Sequence, residues 1–327
     1  MKTIMDVDRN PKKAFFTYRN ALKPTIVTTR SDRKHFYSGE QVKIEAWVSH
    51  DPAFRPENYN LQYQLEKNGK VLQSGQSKVE VPPNSAKFQG YIPLNAPKVK
   101  ERTSYKLRSA IFNEDGESID QATMDLEIFP TPEKTIGKKT IAILSKEKEF
   151  STYLKDNLEI EVISQWKEAD VIWVDDFNQY EQNKETLDSL VASGKKMVLY
   201  QVPVGKQFIN NSEITVQNTA MGSYYFASPT TGHRYMEDVE PFDFKMWYDE
   251  EKGYITPFLD KIVITGEEWK PILATGNTNW EEGHGNAIAA GELMIGKGTV
   301  LICQIDLNNR LKTNPVAYDF IQKLIFD

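Results

Sequence analysis

The chain has 327 residues, enough for about two domains at roughly 100–200 residues each. Hydrophobic residues make up 39% and aromatic residues 11%, so disorder is excluded as the main state. The net charge is -6 and no run of lysine or arginine forms a basic stripe, which argues against nucleic acid or an anionic membrane as the main partner. No apolar run approaches the roughly 20 residues of a membrane span.

The cysteine content and the N-terminal residues bear on disulfides, zinc sites and export. Cys303 is the one cysteine, so no internal disulfide forms, and a single Cys with four scattered His excludes a cysteine-rich zinc site. Residues 1–10 lack the apolar core of a signal peptide. We therefore expect a periplasmic or extracellular location only if an upstream region carries the export signal.

The first predicted element is a short amphipathic helix. Asn10 suits its cap, Pro11 suits its first turn, and Pro24 ends it. A single helix of this length cannot bury an apolar stripe alone, so residues 1–23 are interpreted as the end of another domain that needs a docking surface. The apolar residues at three- and four-residue spacing are Ala14, Phe15, Tyr18, Ala21 and Leu22.

Residues 24–130 predict a β-sandwich. Segments such as Val42–Val48 and Leu61–Leu65 alternate in polarity, and Asn68-Gly69 is a strong hairpin signal. About seven short strands with frequent turns suggest an immunoglobulin-like architecture, without the cysteine pair of antibody domains. The other predicted strands are Thr25–Thr29, Ala86–Ile92, Ser104–Phe112 and Met124–Phe129.

Residues 131–138 predict a linker rich in Pro, Gly and Lys, and residues 139–327 predict an α/β domain. Buried-type strands alternate with helices, which indicates a parallel sheet wound on both faces. Residues 205–270 show no regular period and are interpreted as irregular. The predicted elements are strands at Thr140–Leu144, Ile160–Ser164, Ala169–Asp175, Met197–Val202 and Thr299–Asp306, and helices at Phe150–Leu158, Gln179–Ala192 and Pro315–Ile325.

Two enzyme classes fit this α/β layout poorly. Residues 144–149 contain no glycine after the first strand, which disfavours a phosphate-binding loop. A class I amidotransferase-like nucleophile needs a cysteine on a strained turn. Cys303 lies within a strand-like run, and Gln201 occupies the position four residues after Met197 where such a turn could begin. A buried structural thiol is favoured, and the residues predict no catalytic group, metal site or cofactor.

Carboxylate pairs are the third possibility, because glycoside hydrolysis uses two of them. Asp175 and Asp176 lie at the C-terminal end of a predicted strand, where open α/β sheets bind ligands, but a helix cap is the favoured interpretation. Glu281 and Glu282 stand in a Gly-rich segment that is interpreted as a hairpin tip. His233 has no carboxylate or cysteine at metal-ligand spacing and is interpreted as structural or exposed.

Aromatic residues crowd into residues 224–254. Aromatic faces stack on sugar rings, but packing of an irregular region or an interface is the favoured interpretation. Trp247, with Tyr248 and Tyr225, is the candidate for carbohydrate binding. The aromatic residues of this segment are Tyr224, Tyr225, Phe226, Tyr235, Phe242, Phe244, Trp247, Tyr248 and Tyr254.

Several stretches carry a family resemblance. The segment MDVDRNPKKAFFTYR (residues 5–19) resembles the end of the catalytic barrel in glycoside hydrolase family 2, the β-galactosidase-like enzymes. The motifs TRSDR, YSGEQV and AWV, within residues 29–48, are similar to the start of the sandwich that follows that barrel. The motifs GKGTV, QIDL and NPVA, within residues 296–317, with DFKMW at residues 243–247, are similar to a terminal flavodoxin-like domain of some members.

The resemblance implies a non-catalytic, C-terminal accessory region of a glycoside hydrolase that acts in carbohydrate degradation. Residues 1–23 would be the remnant helix of the TIM barrel, and residues 139–327 a flavodoxin-like (class I amidotransferase-like) domain. The family's catalytic glutamates belong to the barrel, so none is carried over. The implied partners are that upstream barrel, an oligosaccharide and a second copy of the chain. Two alternatives stay open: a carbohydrate-binding module that uses residues 224–254, and a free-standing hydrolase or amidotransferase-like enzyme.

Overall fold

The computed structural model describes residues 4–52, 57–132, 139–145, 148–158, 160–277 and 286–327. The chain forms two compact units, Met1–Thr131 and Pro132–Asp327. None of the described helices combines the length and apolar character needed to cross a membrane.

The described part of the first unit is a two-sheet β-sandwich. Three strands pair in the order β1-β3-β6 and five in the order β2-β8-β7-β4-β5. All neighbours are antiparallel except β2 and β8, which run parallel. The elements are α1 (Lys13–Ala21), β1 (Thr25–Arg30), β2 (His35–Tyr37), β3 (Gln41–His50), β4 (Glu57–Lys67), β5 (Lys70–Val81), β6 (Ser85–Asn95), β7 (Thr103–Phe112) and β8 (Ser118–Phe129).

Alternating side chains build the core between the two sheets. Val42, Ile44, Ala46 and Val48 of β3 point inward and are buried, while their neighbours are more exposed. They join the inward residues of the other sheet in one apolar cluster. This confirms the predicted β-sandwich, whose arrangement fits the immunoglobulin-like architecture.

The predicted Asn-Gly turn joins β4 to β5. Asn68 has φ 50° and Gly69 has φ 78°. Two consecutive positive φ values are what a two-residue type I′ hairpin requires, and its twist matches that of the flanking strands. The turn therefore fixes the register of this hairpin.

Helix α1 begins later than predicted and lies on the surface. Its N-cap is Lys12, which makes no side-chain cap. Asn10 instead donates its backbone N–H to Asp6 Oδ1 at 2.7 Å, and Pro11 forms a β-bridge with Met5. None of the helix residues is buried.

The described part of the second unit consists of a mixed sheet with helices. The strands are β9 (Thr140–Leu144), β10 (Glu161–Ile163), β11 (Val171–Val174), β12 (Lys196–Tyr200), β13 (Gly205–Ile209), β14 (Ser212–Asn218), β15 (Tyr248–Asp249), β16 (Tyr254–Ile255), β17 (Ile262–Thr265), β18 (Lys270–Gly276), β19 (Asn286–Ile295) and β20 (Gly298–Cys303). The helices are α2 (Lys148–Leu158), α3 (Phe177–Gln182), α4 (Lys184–Ala192) and α5 (Pro315–Phe326). The 3₁₀ turns are Ser223–Phe226, Arg234–Met236 and Asp243–Lys245.

The sheet has a parallel half and an antiparallel half. Strands β10-β9-β11-β12-β20 are parallel neighbours in that order. Strand β19 then runs antiparallel to β20, and β17, β14, β13 and β18 extend the sheet. The prediction that residues 205–270 are irregular is therefore wrong in part, because β13, β14 and β17 belong to this sheet. The predicted helix Gln179–Ala192 is divided into α3 and α4 at Asn183.

Helices cover both faces of the parallel strands. On one face, Leu187 and Val191 of α4 join Ile172 and Met197 in an apolar cluster. Side chains of a strand alternate between faces, so Trp173, next to Ile172, points to the other face. There, Phe150 of α2 stacks on Tyr200 at 5.0 Å and contacts Trp173 at 5.9 Å between ring centroids.

Candidate functional site

Trp247, the main predicted sugar-stacking residue, lies in the core. Its side chain is 0% exposed. The indole stacks on Phe244 at 5.5 Å between centroids, contacts Phe258 at 5.9 Å, and donates from Nε1 to the carbonyl of Asp306 at 2.7 Å. A fully buried indole cannot stack on a sugar, so the candidate role of Trp247 in carbohydrate binding is wrong, and the favoured interpretation of packing holds for this residue.

The two tyrosines named with it differ in exposure. Tyr248 is half-buried in β15. Tyr225 is 65% exposed, with its ring centroid 4.3 Å from that of Tyr224. Their turn is attached to β18, because Thr275 Oγ1 donates to the carbonyl of Ser223 at 2.7 Å. Of the three predicted residues, Tyr225 alone presents most of its ring to solvent.

Cys303 and Gln201 occupy positions that matter for the amidotransferase-like alternative. Cys303 is buried in β20, and burial raises the pKa of its thiol to about 12. Gln201, just after β12, has φ 55°, a strained conformation for a non-glycine residue. Its N–H donates to the carbonyl of Cys303 at 2.9 Å and its Nε2 to the carbonyl of Gln304 at 3.0 Å. The strained turn thus carries the side-chain amide of Gln201. The thiol of Cys303 is buried, as predicted.

The predicted carboxylates serve local structure where they are described. Asp176 caps α3 by accepting from the N–H of Asn178 at 3.1 Å, which confirms the favoured interpretation. Asp175 accepts from Ser145 Oγ at 2.7 Å, between the ends of β11 and β9. Glu281, Glu282 and the nearby His284 lie outside the described residues.

His233 has a carboxylate partner, Glu292, that is distant in sequence. The ring is buried, and its Nδ1 accepts from the N–H of Tyr235 at 3.2 Å. Nε2 therefore carries the proton and donates to Glu292 Oε2 at 3.1 Å, while Arg234 binds Glu292 Oε1 at 3.1 Å. Burial lowers the pKa of His233, so the ring is neutral near pH 7. The arrangement is a structural clamp between the second 3₁₀ turn and β19.

A buried arginine lies beyond the carboxyl end of β20. Arg310 is 0% exposed and contacts Asp249 at 2.8 Å, Asp306 at 2.8 Å and Thr256 Oγ1 at 2.7 Å. Burial acts to raise the pKa of Asp249, but hydrogen bonds from Arg310 and Lys252 hold it below its usual value. Burial raises the pKa of Asp306 despite the same guanidinium. In many open α/β sheets a ligand binds beyond the carboxyl ends of the parallel strands. Here the chain's own side chains occupy this place.

The antiparallel half of the sheet contains a cleft of about 990 Å³. It is lined by residues of β14, β17, β18 and β19 and of the turn between β17 and β18. This cleft was not predicted from the sequence, because its residues come from strands that were not recognised there. The polar and aromatic residues that define its chemistry are Glu213, Glu267, Glu268, Trp269, Thr275 and Asn286.

The sandwich also presents an aromatic patch, defined as Trp47, Phe88 and Tyr91. They lie on the outer face of the three-stranded sheet, with centroids 5.3 Å apart for Trp47–Phe88 and 5.3 Å for Phe88–Tyr91. Phe88 is 40% and Tyr91 59% exposed. Trp47 Nε1 donates to Glu45 Oε2 at 2.8 Å, which orients the indole. Sequence reasoning placed the exposed aromatics elsewhere, although Trp47 and Phe88 are in register on β3 and β6.

Within the described residues, no group of three or more His, Cys, Asp or Glu side chains is placed to hold a metal ion. No protein-family profile matches this chain. No curated protein matches it either. Among solved structures it is similar to a CARDB domain from Pyrococcus furiosus, crystallised in complex with di-metal ions. The two share 12% identity over 33% of this chain and 92% of that one, at a TM-score of 0.25, a value too low to support a conclusion about fold or function.

Proposed function

We propose that this chain is a non-catalytic accessory region of a glycoside hydrolase of the β-galactosidase-like family, with the catalytic barrel of the same protein as its partner. The observation that carries the proposal is that α1 and its C-cap residue expose large apolar side chains. Phe16 is 46%, Tyr18 57% and Leu22 76% exposed, and no residue of the helix is buried. Large apolar side chains gathered on one short helix favour an interface. The segment that contains them is the one that resembles the end of the barrel.

The finer fold of the second unit belongs to the same proposal. Numbered along the chain, its five parallel strands have the spatial order 2-1-3-4-5. This order is that of flavodoxin-like sheets. We infer a flavodoxin-like domain that has acquired an antiparallel extension from β13 to β19. Its strained turn carries Gln201 where an amidotransferase-like enzyme would need a nucleophile.

Hydrolysis of a panel of aryl-glycosides tests the proposal. The chain alone should be inactive, and a polypeptide with a family 2 barrel placed ahead of Met1 should be active. In that longer polypeptide, Phe16→Glu with Leu22→Glu should lower activity and thermal stability, because charges replace the apolar contact. Phe208→Glu, at a 55% exposed position of β13, is the matched control and should have little effect. Hydrolysis by the chain alone would overturn the accessory role.

A second candidate function is carbohydrate binding by the sandwich, favoured by the aromatic patch. Its rings are solvent-accessible, and Glu45 stands beside Trp47 to accept a hydroxyl proton. Titration with soluble oligosaccharides should quench tryptophan fluorescence in a saturable way. Trp47→Ala should abolish the change, whereas Tyr254→Ala, at an exposed tyrosine of the second unit, should not. A flat titration would exclude this function.

A further inference from the structure

We propose that residues 228–236 form an acid-released strap, which is closed while the ring of His233 is neutral and opens when that ring takes up a proton. Opening exposes Tyr235 and Met236, which are buried in the closed strap. Every residue of the strap belongs to the second unit. The proposal therefore does not depend on the accessory role, which rests on α1 of the first unit.

The first half of the strap is attached to β18. Ser228 forms a β-bridge with Ala274. Thr231 Oγ1 donates to the carbonyl of Ile272 at 2.8 Å. These contacts involve no titratable side chain, so acid should leave them intact and the strap should open from its second half.

The second half of the strap depends on the ring of His233. This residue is the N-cap of the second 3₁₀ turn, and its Nδ1 accepts from the N–H of Tyr235 at 3.2 Å. A backbone N–H can only donate, so Nδ1 carries no proton and Nε2 donates to Glu292 Oε2 at 3.1 Å. One neutral tautomer thus caps the turn and joins it to β19.

Protonation of the ring removes this cap. An imidazolium carries hydrogen on both nitrogens, so its Nδ1–H and the N–H of Tyr235 would face each other without an acceptor between them. Two buried donors in this position cost free energy, and the ring must turn away to relieve them. The closed strap therefore holds neutral His233 in preference to the charged form.

The charges nearest the ring act in the same direction, apart from one carboxylate. Glu292 faces the ring from β19, but it also binds Arg234 at 3.1 Å. Lys270 of β18 is the register partner of Glu292 and adds a second cation. Burial, with Lys270 and Arg234, lowers the pKa of His233 from its ordinary value of 6.5, and Glu292 opposes this shift without cancelling it.

The other charged groups around the strap bind Tyr235. Its hydroxyl accepts from Lys196 of β12 at 3.4 Å and from Arg234 at 3.1 Å. Its carbonyl accepts from Lys323 of α5 at 3.4 Å, and Lys323 is paired with Asp319 at 2.8 Å. Each of these bonds ends at the turn that His233 caps. Loss of the cap should therefore loosen the contacts with β12 and α5 as well as the one with β19.

The direction of the pH effect follows from the lowered pKa of His233. In the open strap the ring has its ordinary pKa of 6.5, and in the closed strap it has a lower one. Below pH 6.5 the open form therefore binds a proton that the closed form does not, and opening becomes more favourable as the pH falls. A single proton allows at most about a tenfold rise in the open population for each pH unit.

Hydrogen exchange of the full chain, followed by mass spectrometry, tests the proposal. After correction for the intrinsic pH dependence of exchange, the amides of residues 232–236 should lose protection about two- to tenfold between pH 7.5 and 5.5, while those of β20 keep theirs. His233→Asn supplies a side-chain cap that does not titrate, and should remove this pH dependence. His50→Asn, at a buried histidine of the sandwich, is the matched control and should retain it.

NMR of the imidazole nitrogens in the unsubstituted chain tests the same idea without a variant that has to fold. We expect His233 to be the Nε2–H tautomer at pH 7.5 and to titrate below pH 6.5. An Nδ1–H tautomer, or titration at or above pH 6.5, would overturn the proposal. So would protection that is unchanged between pH 7.5 and 5.5, that is lost throughout the second unit at once, or that still falls in His233→Asn.

Discussion

Arg310 and Asp249 form an ion pair at 2.8 Å between side chains that are 0% and 5% exposed. A charge removed from water is stable only if it is paired and hydrogen-bonded, so each residue is needed by the other. Asp306 and Thr256 also bind the guanidinium. The pair therefore joins β15 to the segment after β20.

Arg310→Met should destabilise the second unit by about 3–5 kcal/mol, because buried Asp249 would keep only the half-exposed Lys252 as a cation partner. The triple variant with Asp249→Asn and Asp306→Asn should recover part of this loss. Calorimetry measures both. Arg108→Met breaks a pair in which the arginine is 53% exposed, so it should change stability by no more than about 1 kcal/mol. Equal effects of Arg310→Met and Arg108→Met would show that the buried pair is unimportant.

The lowered pKa of Lys196 should make the stability of the second unit depend on pH. Burial, with help from Lys139 and Arg234, lowers its pKa from 10.5 to about 8 in the folded chain. Between these values the unfolded chain holds a proton that the folded chain has released, so this group makes stability rise with pH in that window. Lys196→Met should be more stable than the parent at pH 7, and its advantage should shrink from pH 8 to 10. Urea unfolding across this range measures it, with exposed Lys261→Met as control. A constant difference would contradict the lowered pKa.

Alanine substitutions of Trp247 and Tyr225 should show that the first residue contributes to the core and the second does not. Trp247→Ala removes an indole packed between aromatic rings and should destabilise the unit by about 3–5 kcal/mol. Tyr225→Ala, at a 65% exposed position, should change stability by about 0.5 kcal/mol or less. Denaturant unfolding followed by circular dichroism gives both values. A mild effect of Trp247→Ala would mean that the indole is not part of the core.

Cys303 should be protected from thiol reagents. Its sulfur is buried and its pKa is about 12, so almost no thiolate exists at pH 8. Ellman's reagent should label the native chain only slowly, and the chain in guanidinium rapidly and to one equivalent. Fast stoichiometric labelling of the native chain would contradict the structural role of the thiol.

Local patterns account for what the sequence predicted correctly. The Asn68-Gly69 turn and the alternation along β3 follow from residues that are neighbours in the chain. The apolar runs of β9, β11 and β12 predict buried strands for the same reason. Strand β13 has no such pattern, because Ile209 is its one buried residue, and the alternation of β14 is short, with Ser212, Ile214 and Val216 buried. The antiparallel half of the sheet was therefore missed.

Partners that are distant in sequence account for most of the errors at the candidate sites. His233 and Glu292 are 59 residues apart, so spacing along the chain could not pair them. Trp247 looks like a surface aromatic in an irregular segment, and only its contacts with Phe244 and Phe258 show that it is core. The cleft depends on four strands meeting, which a single sequence does not reveal.

Strand β20 lies between β12 and β19. During translation, the strands of the sandwich leave the ribosome as one continuous stretch and can pair at once. The second unit must wait, because β20, near the centre of its sheet, is made after the other described strands of that sheet. Until then β12 exposes an apolar edge open to wrong pairing with other chains.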